Sequence, residues 1–281
     1  MQGTDKLISF IVVVVIGCFL SVNLNATEYS SWTGKQIIDE ASKRHKKPYE
    51  YEEQFMTLMD SKGNEELREV RRYSREVGDE IYRYLFVFDS PAGVKGVALL
   101  TWQNEAADDD QWVYLPAMGR KLKRQAKGSK RNYFMGTDFA NEDLTSEDNS
   151  KFRYERSDDI ELDGISHFVV RAFPDSADVK KSTGYKFRDL FIRKDIFFTT
   201  ITDYYNRRGL LLKTQKTSEI FQVEGELYRA KSALMLRFEG GERESVVHQT
   251  KVVSEIRSFE EKDVPKKVFE QRFVKSGRHM K

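Results

Sequence analysis

The feature that most constrains this fold is a long series of strand-length segments joined by short turns. From Tyr49 onward, apolar and polar residues alternate along most segments, and turns such as Asn206-Arg207-Arg208-Gly209 separate them. Closely spaced strands with short turns and without βαβ alternation are typical of one meandering antiparallel sheet. The pattern predicts strands at residues 49–59, 66–77, 81–88, 94–103, 152–160, 165–173, 187–194, 196–205, 210–223, 227–238 and 242–259.

Two local signals predict specific geometry. Asp163-Gly164, between two apolar runs, predicts a two-residue hairpin because both residue types tolerate a positive φ. Thr33 and Gln36 fit a capping box, which predicts a helix over residues 33–47.

A second helix is expected over residues 264–275, capped by Asp263 and docked through Val268, Phe269 and Phe273. The few predicted helices can plug a half-closed barrel but cannot cover a long flat sheet. We therefore expect the sheet to curve. The aromatic residues, 19 Phe, 13 Tyr and 3 Trp, would give a bulky concave lining or an ordinary core. Alternation alone does not distinguish these two interiors.

The chain begins with a hydrophobic segment. Residues 7–20 carry no charge, a basic residue precedes them, and small and polar residues follow up to Ala26. This build is typical of a secretory signal, and the segment is shorter than the roughly 20 residues of a membrane-spanning helix. We expect residues 1–26 to be a signal peptide and residues 27–281 to be one exported domain in the periplasm. Two alternatives stay open: the segment is an uncleaved membrane anchor, or Cys18 is lipidated.

Composition excludes several classes of protein. Lys and Arg total 47 against 45 Asp and Glu, a net charge of +2, without the basic excess of a nucleic-acid-binding protein. A single cysteine excludes a disulfide scaffold. The mean hydropathy of −0.62 excludes a polytopic membrane protein.

Signals of catalysis are weak. The 4 histidines are widely separated, and no nucleophile elbow, zinc-protease motif or P-loop is present. We therefore expect a protein that is not an enzyme and that uses no metal and no cofactor. If the chain were an enzyme, the carboxylate pair of Asp138 and Asp143 would be the best candidate.

One segment is strongly basic. Residues 120–131, RKLKRQAKGSKR, hold seven Lys or Arg. Because the chain as a whole is balanced, we expect no nucleic-acid partner. Solvated strand ends and contact with anionic lipid headgroups both remain open interpretations.

Two motifs at the centre of the chain are more distinctive. Residues 110–120 read DQWVYLPAMGR, and residues 134–144 read FMGTDFANEDL. They resemble the outer membrane lipoprotein-sorting-like family, relatives of the periplasmic lipoprotein carriers LolA and LolB. Further matches in consistent order extend the resemblance over residues 33–275, at Leu99, Leu100, Trp102, Tyr204, Tyr205, residues 209–213, Val268, Phe269, Arg272 and Phe273.

The resemblance implies a mainly β (α+β) fold, an unclosed antiparallel half-barrel lidded by short helices. Its concave face would bind acyl chains of a lipid or lipoprotein, with an RND-type exporter as partner. The candidate lining residues are Tyr84, Phe86, Phe88, Trp102, Trp112, Tyr114, Met135 and Phe139.

Residues 136–144 are the candidate mouth or lid of that face. The alternative is a structural loop in which Asp138 and Asp143 only cap turns. The alternative function is that of an envelope sensor or adaptor similar to the stress regulator RseB, whose sheet binds a protein partner.

Overall fold

The computed structural model describes residues 29–78, 80–105, 108–119, 121–126 and 128–281. The described residues fall into two units, residues 29–32 and residues 33–281. In the first unit, the N–H of Trp32 donates to the carbonyl of Tyr29 at 3.2 Å and closes a turn. The second unit holds every helix and strand described below.

The predicted signal peptide, residues 1–26, and Cys18 within it lie outside the described residues. Among the residues that are described, none of the helices has the length and apolar character needed to cross a membrane.

Fourteen antiparallel strands form one sheet in the described part of the chain, in the order β6-β5-β4-β3-β2-β1-β14-β13-β12-β11-β10-β9-β7, with β8 paired to β9. The two ends of this order, β6 and β7, do not pair with each other, so the sheet is not closed into a barrel. The predicted unclosed antiparallel sheet is therefore confirmed. The strands are β1 Tyr49–Asp60, β2 Glu65–Gly78, β3 Ile81–Ser90, β4 Ala98–Trp102, β5 Asp110–Leu115, β6 Lys121–Arg124, β7 Phe152–Arg156, β8 Ile160–Leu162, β9 Ile165–Pro174, β10 Tyr185–Arg193, β11 Thr199–Asn206, β12 Leu211–Glu224, β13 Leu227–Phe238 and β14 Val246–Ser258.

One pairing joins the two halves of the sheet. β1 pairs with β14 along almost its whole length, from Tyr51 opposite Ser258 to Asp60 opposite His248. Most other pairings join strands that follow each other along the chain, as short turns require. The β1–β14 ladder is therefore the long-range contact that makes a single sheet from two meanders.

Local signals explain the turns, with some corrections to strand ends. Asp163 and Gly164 have φ values of +52° and +75°, which confirms the predicted hairpin between β8 and β9. The strand predicted at residues 242–259 begins only at Val246, because the N–H of Glu239 donates to Ser245 and closes a turn over the first residues.

The helices are short. α1 is Gly34–His45, α2 is Ala177–Ser182 and α3 is Gln271–Lys275. α1 begins with the predicted capping box: Thr33 N–H donates to the Gln36 side chain at 2.8 Å, and Gln36 N–H donates back to Thr33 Oγ1 at 3.3 Å. Its buried Ile37 packs toward the sheet, where α1 lies against β7, β9 and β13.

The C-terminal helix differs from its prediction. Instead of one helix capped by Asp263, a short 3-10 turn at Lys266–Phe269 precedes α3, and Glu270 between them is extended. Asp263 accepts a hydrogen bond from Ser258 Oγ at 2.7 Å and caps no helix. The break lets apolar side chains on both sides of Glu270 reach one surface of the sheet, as described below.

Candidate functional site

Strand β3 is apolar on both faces, and each face belongs to a different cluster. Phe86 and Phe88 belong to what we call the inner cluster, while Leu85 and Val87 belong to the outer cluster, as the two-residue period of a strand requires. The inner cluster draws on both halves of the sheet, so the sheet curves around it. Its other members are Met56, Leu58, Val70, Val94, Val97, Leu99, Phe134, Phe139, Leu144, Tyr185, Tyr204, Met235 and Val252.

The outer cluster is covered by the last residues of the chain. Val264, Val268, Phe269 and Val274 pack there against apolar side chains of β3, β4 and β5. Trp102 Nε1 donates to the carbonyl of Phe269 at 2.9 Å. Docking through Val268 and Phe269 follows the sequence prediction, although the helix itself is interrupted.

The residues predicted to line a cavity are divided between these faces. Phe86, Phe88 and Phe139 are members of the inner cluster, Met135 packs against it, and Tyr84 shares the face of Phe86 on β3. The other predicted lining residues, Trp112 and Tyr114 in the outer cluster and Trp102 packed against it, lie beneath the C-terminal segment. The structure therefore brings the first group together and separates it from the second.

A cavity of about 300 Å³ opens on the inner face. We call it the inner cavity. Phe139 and Leu144, from the loop of residues 134–144, form part of its wall. Its apolar lining residues are Met56, Phe86, Phe139, Leu144, Ala230, Ala233 and Val252, and its polar ones include Glu52, Gln54, Arg72, Lys231, Ser254 and Arg257.

A second cavity of about 310 Å³ lies on the other side of residues 143–146 and is more polar. The two cavities share Asp143, Thr145, Ser146 and Gln215 in their linings. Residues 143–146 therefore form a strap between them. In the second cavity, burial raises the pKa of Glu142 and of Asp109.

The strap is held to the sheet by side chains of the inner face. Tyr84 OH bonds Ser146 Oγ and accepts the Ser146 N–H at 3.1 Å. Gln103 Nε2 donates to the Ser146 carbonyl at 2.7 Å. Burial raises the pKa of Tyr84, so its hydroxyl stays protonated. Tyr84 thus contributes to the site as an anchor of the strap.

A buried lysine fastens the loop that precedes the strap. Lys213 Nζ, on β12, donates to Asp143 Oδ2 at 2.5 Å and to the carbonyl of Asp138 at 2.9 Å. Its ammonium also lies 5.1–5.4 Å from the ring centroids of Tyr133, Tyr185 and Tyr204. An ammonium without solvent needs such partners, because an unpaired buried charge is very costly.

Asp138 is buried in a second set of contacts. Its Oδ2 accepts hydrogen bonds from Thr250 Oγ1 at 2.8 Å and pairs with His248 Nδ1 at 2.6 Å, both on β14, while Arg237 Nε lies 3.1 Å from Oδ1. Asp138 and Asp143 therefore do more than cap turns: they tie residues 134–144 to β12, β13 and β14. Asp143 also caps its own turn by accepting the N–H of Ala140 at 2.6 Å.

The inner cavity ends in a charged group on β1, β2 and β14. Glu52 accepts from Arg72 Nη1 at 2.9 Å and from Arg257 Nε at 2.8 Å. Burial alone would raise the pKa of Glu52, but the two guanidinium groups outweigh it and hold that pKa at about 2. Sequence reasoning missed this group, and the only local signal was charge at strand positions that alternate with apolar ones.

The four histidines lie apart from one another, and three of them bond to backbone carbonyls. His45 Nε2 lies 3.0 Å from the Ile196 carbonyl, His167 Nδ1 lies 2.8 Å from the Ile165 carbonyl, and His279 Nε2 lies 3.0 Å from the Gly96 carbonyl. Burial lowers the pKa of His45 and of His279. Across the described ranges, no group of three or more His, Cys, Asp or Glu has metal-binding geometry.

The basic segment lies at one edge of the sheet. Lys121, Lys123 and Arg124 are exposed on β6, the first strand in the sheet order. Charged side chains at an exposed edge oppose pairing with another sheet. Arg120 and Lys127 lie outside the described residues.

Comparisons with known proteins agree with this geometry. The model of a family described as "Uncharacterized protein" matches residues 81–276, more than half of the chain. No curated protein matches the chain.

Solved structures extend the comparison to most of the chain. An outer membrane lipoprotein-sorting protein domain from Vibrio parahaemolyticus is 26% identical, with a TM-score of 0.77 over 86% of this chain and 98% of that one. A DUF1329 family protein from Desulfovibrio piger is 24% identical, with a TM-score of 0.77 over 86% and 97%. A LolA superfamily protein from Nitrosomonas europaea is 17% identical, with a TM-score of 0.67 over 86% and 99%. The last two likenesses concern the fold alone.

Proposed function

We propose that this chain, a member of the family whose model matches residues 81–276, is a periplasmic carrier of lipids or lipoproteins; its likeness to an outer membrane lipoprotein-sorting domain and its LolA-like fold support the proposal. It binds acyl chains in the inner cavity and performs no catalysis. The observation that carries the proposal is a cavity on the concave face of an unclosed sheet, one part of which is lined by the apolar side chains of Met56, Phe86, Phe139 and Val252.

The physical chemistry of such a cavity suits an acyl chain. Each methylene that leaves water for an apolar wall contributes about 0.8 kcal/mol. Ordering the chain and the wall costs part of that gain, so a carrier binds firmly yet reversibly. Met56 adds a flexible thioether that adapts to chains of different shape.

Of the predicted lining residues, we carry Tyr84, Phe86, Phe88, Met135 and Phe139 into the proposal. Phe86 and Phe139 line the cavity, Phe88 and Met135 support it from the inner cluster, and Tyr84 holds the strap. Trp102, Trp112 and Tyr114 support the outer face instead.

A carrier needs a donor or acceptor for its cargo. We propose that this partner is an RND-type membrane exporter, and that a signal peptide at residues 1–26 delivers the protein to the periplasm. Release follows when the partner binds the chain more tightly than the cavity does.

The test combines lipid extraction with a variant that fills the cavity. Protein purified from an envelope fraction is extracted, its lipids are identified by mass spectrometry, and binding of a fluorescent fatty acid is titrated. Ala233→Phe places a ring in the cavity and should abolish both signals. Val253→Phe, one residue away from Val252 and on the opposite face of β14, is the matched control and should bind as the wild type does.

Two results would contradict the proposal. Bare protein in native mass spectrometry together with no probe binding would remove the carrier function. Two findings together would favour the sensor or adaptor function instead. A signalling protein, and no exporter, is captured with this protein from cells, and the Ala233→Phe variant keeps the wild-type phenotype of those cells.

A further inference from the structure

The inner cavity changes character along the strands. On β1, the side chains that face it run from Met56 through Gln54 to Glu52. The same change occurs on β14, where Val252 lies opposite Met56, Ser254 opposite Gln54 and Arg257 opposite Glu52. One end of the cavity is therefore apolar, and the other is polar and charged.

The charged end carries a surplus of positive charge. Its cations are Arg72, Arg257 and Lys231, and its carboxylate is Glu52. Behind it, Glu50 lies 2.9 Å from Arg229, 3.1 Å from Arg257 and 3.9 Å from Arg72. With Glu50 and Arg229 included, four cations still face two carboxylates. The other carboxylate of the lining, Asp143, is paired with Lys213.

The carboxylate of Glu52 is already saturated. Besides the two guanidinium groups, Ser254 Oγ donates to Oε1 at 3.1 Å and Gln54 Nε2 donates to Oε2 at 3.1 Å. Glu52 can therefore compensate no further cation, and the surplus is directed to whatever enters the cavity.

Two cationic groups at this end keep unused donors. Arg72 donates to Glu52 through Nη1. Within the described residues, its Nε and Nη2 groups donate to no acceptor. The guanidinium lies 5.7 Å from the ring centroid of Tyr84 and 5.8 Å from that of Phe86. Lys231 is exposed, lines the cavity and has no acceptor in the described part of the chain. Guanidinium and ammonium groups with free donors bind carboxylate and phosphate strongly.

We propose that the inner cavity takes a single-chain amphiphile with an anionic head, its chain against Met56, Phe139 and Val252 and its carboxylate or phosphate at Arg72 and Lys231. The inference rests on the proposed acyl-chain function and names the class of ligand. A volume of about 300 Å³ is at the small end of ligand pockets, which suits one chain rather than two.

The experiment uses four competitors that share a dodecyl chain. Dodecanoate and dodecyl phosphate supply anionic heads, dodecyl maltoside a neutral head and dodecyltrimethylammonium a cationic head, each below its micellar concentration. They displace N-phenylnaphthylamine, a neutral fluorescent probe, from the full chain. The anionic competitors are expected to act at roughly tenfold lower concentration than the neutral one, the effect of one charge-assisted hydrogen bond. Comparing the two anionic heads distinguishes a fatty acid from a lysophospholipid as the source.

The matched variants locate the head. Lys231→Gln removes an exposed charge that has no partner among the described residues. It should reduce the anionic preference several-fold and leave displacement by dodecyl maltoside unchanged. Arg72→Gln should remove the remaining preference for the anionic competitors. Lys251 is an exposed lysine on the opposite face of β14, and Lys251→Gln should leave displacement by all four competitors unchanged.

The outcomes separate this inference from the proposed function. Equal displacement by anionic and neutral competitors, or a preference that survives Lys231→Gln and Arg72→Gln, overturns the inference and leaves acyl-chain binding intact. If no probe binds, so that none of the four competitors has a probe to displace, both the inference and the proposed function are overturned.

Discussion

Lys213 Nζ lies 2.5 Å from Asp143 Oδ2, and both side chains are almost completely removed from solvent, with 0% and 2% exposed. The pair joins a strand to a loop 70 residues earlier in the chain. It holds in place the wall of the inner cavity that Phe139 and Leu144 provide. Breaking it should therefore affect stability and cavity shape together.

We expect Lys213→Met to lower the free energy of unfolding by about 3–5 kcal/mol, because Asp143 would be left as an unpaired buried charge. Urea denaturation measures the change. Adding Asp143→Asn should recover part of the loss, since the unpaired charge is then removed. Lys35→Met is the control: its pair with Asp39 is about half exposed, so the change should stay within about 0.5 kcal/mol. Equal effects of Lys213→Met and Lys35→Met would contradict the prediction.

Tyr84→Phe should loosen the strap of residues 143–146. The variant removes the acceptor of the Ser146 N–H, and we expect faster hydrogen exchange at that amide with a stability loss of about 1 kcal/mol. Exchange monitored by NMR measures the opening of the strap directly. Tyr82→Phe is the matched control, because the Tyr82 hydroxyl has no hydrogen-bond partner among the described residues. This variant should leave the Ser146 amide protected from exchange. An unchanged Ser146 exchange rate in Tyr84→Phe would show that other contacts hold the strap.

The division of aromatic residues between faces predicts a quenching pattern. In a Trp32→Phe background, a brominated fatty acid should quench Trp102 and Trp112 weakly, because both lie on the outer face under the C-terminal segment. Adding Phe86→Trp places an indole in the inner cavity and should produce strong quenching by the same ligand. Strong quenching before that substitution would mean that the acyl chain binds on the outer face.

Glu52 predicts a pH dependence of stability. Its pKa in the folded state is about 2, below the ordinary value of 4.5, so the folded state favours the carboxylate. The contribution is present above pH 4.5 and is lost as the pH falls toward 2, and it amounts to on the order of 3 kcal/mol. The free energy of unfolding, measured with urea at a series of pH values, should therefore change less between pH 4.5 and pH 2 for Glu52→Gln than for the wild type. Glu255→Gln, at an exposed position of β14, should keep the wild-type slope; an identical slope in Glu52→Gln would refute the prediction.

Sequence reasoning was most reliable where the deciding interactions are local. The capping box of Thr33 and Gln36 and the hairpin at Asp163-Gly164 depend on residues at most three positions apart, so their geometry follows from the residues themselves. The antiparallel meander also follows, because short turns leave adjacent strands few other ways to pair. The prediction for residues 264–275 was wrong where the helix breaks at Glu270, since docking to a distant surface outweighs local helix propensity.

The sequence by itself determined the succession of strands along the chain. It also determined which side chains share a face of each strand, because the pleat has a period of two. Only the tertiary structure decided which face became concave. Strand β3 is apolar on both sides, and the inner or outer role of its residues depends on the β1–β14 pairing and on the C-terminal segment. The same is true of Lys213 and Asp143: within the described residues neither has an oppositely charged partner nearby in sequence, and burial of their charges becomes favourable only when the fold brings them together.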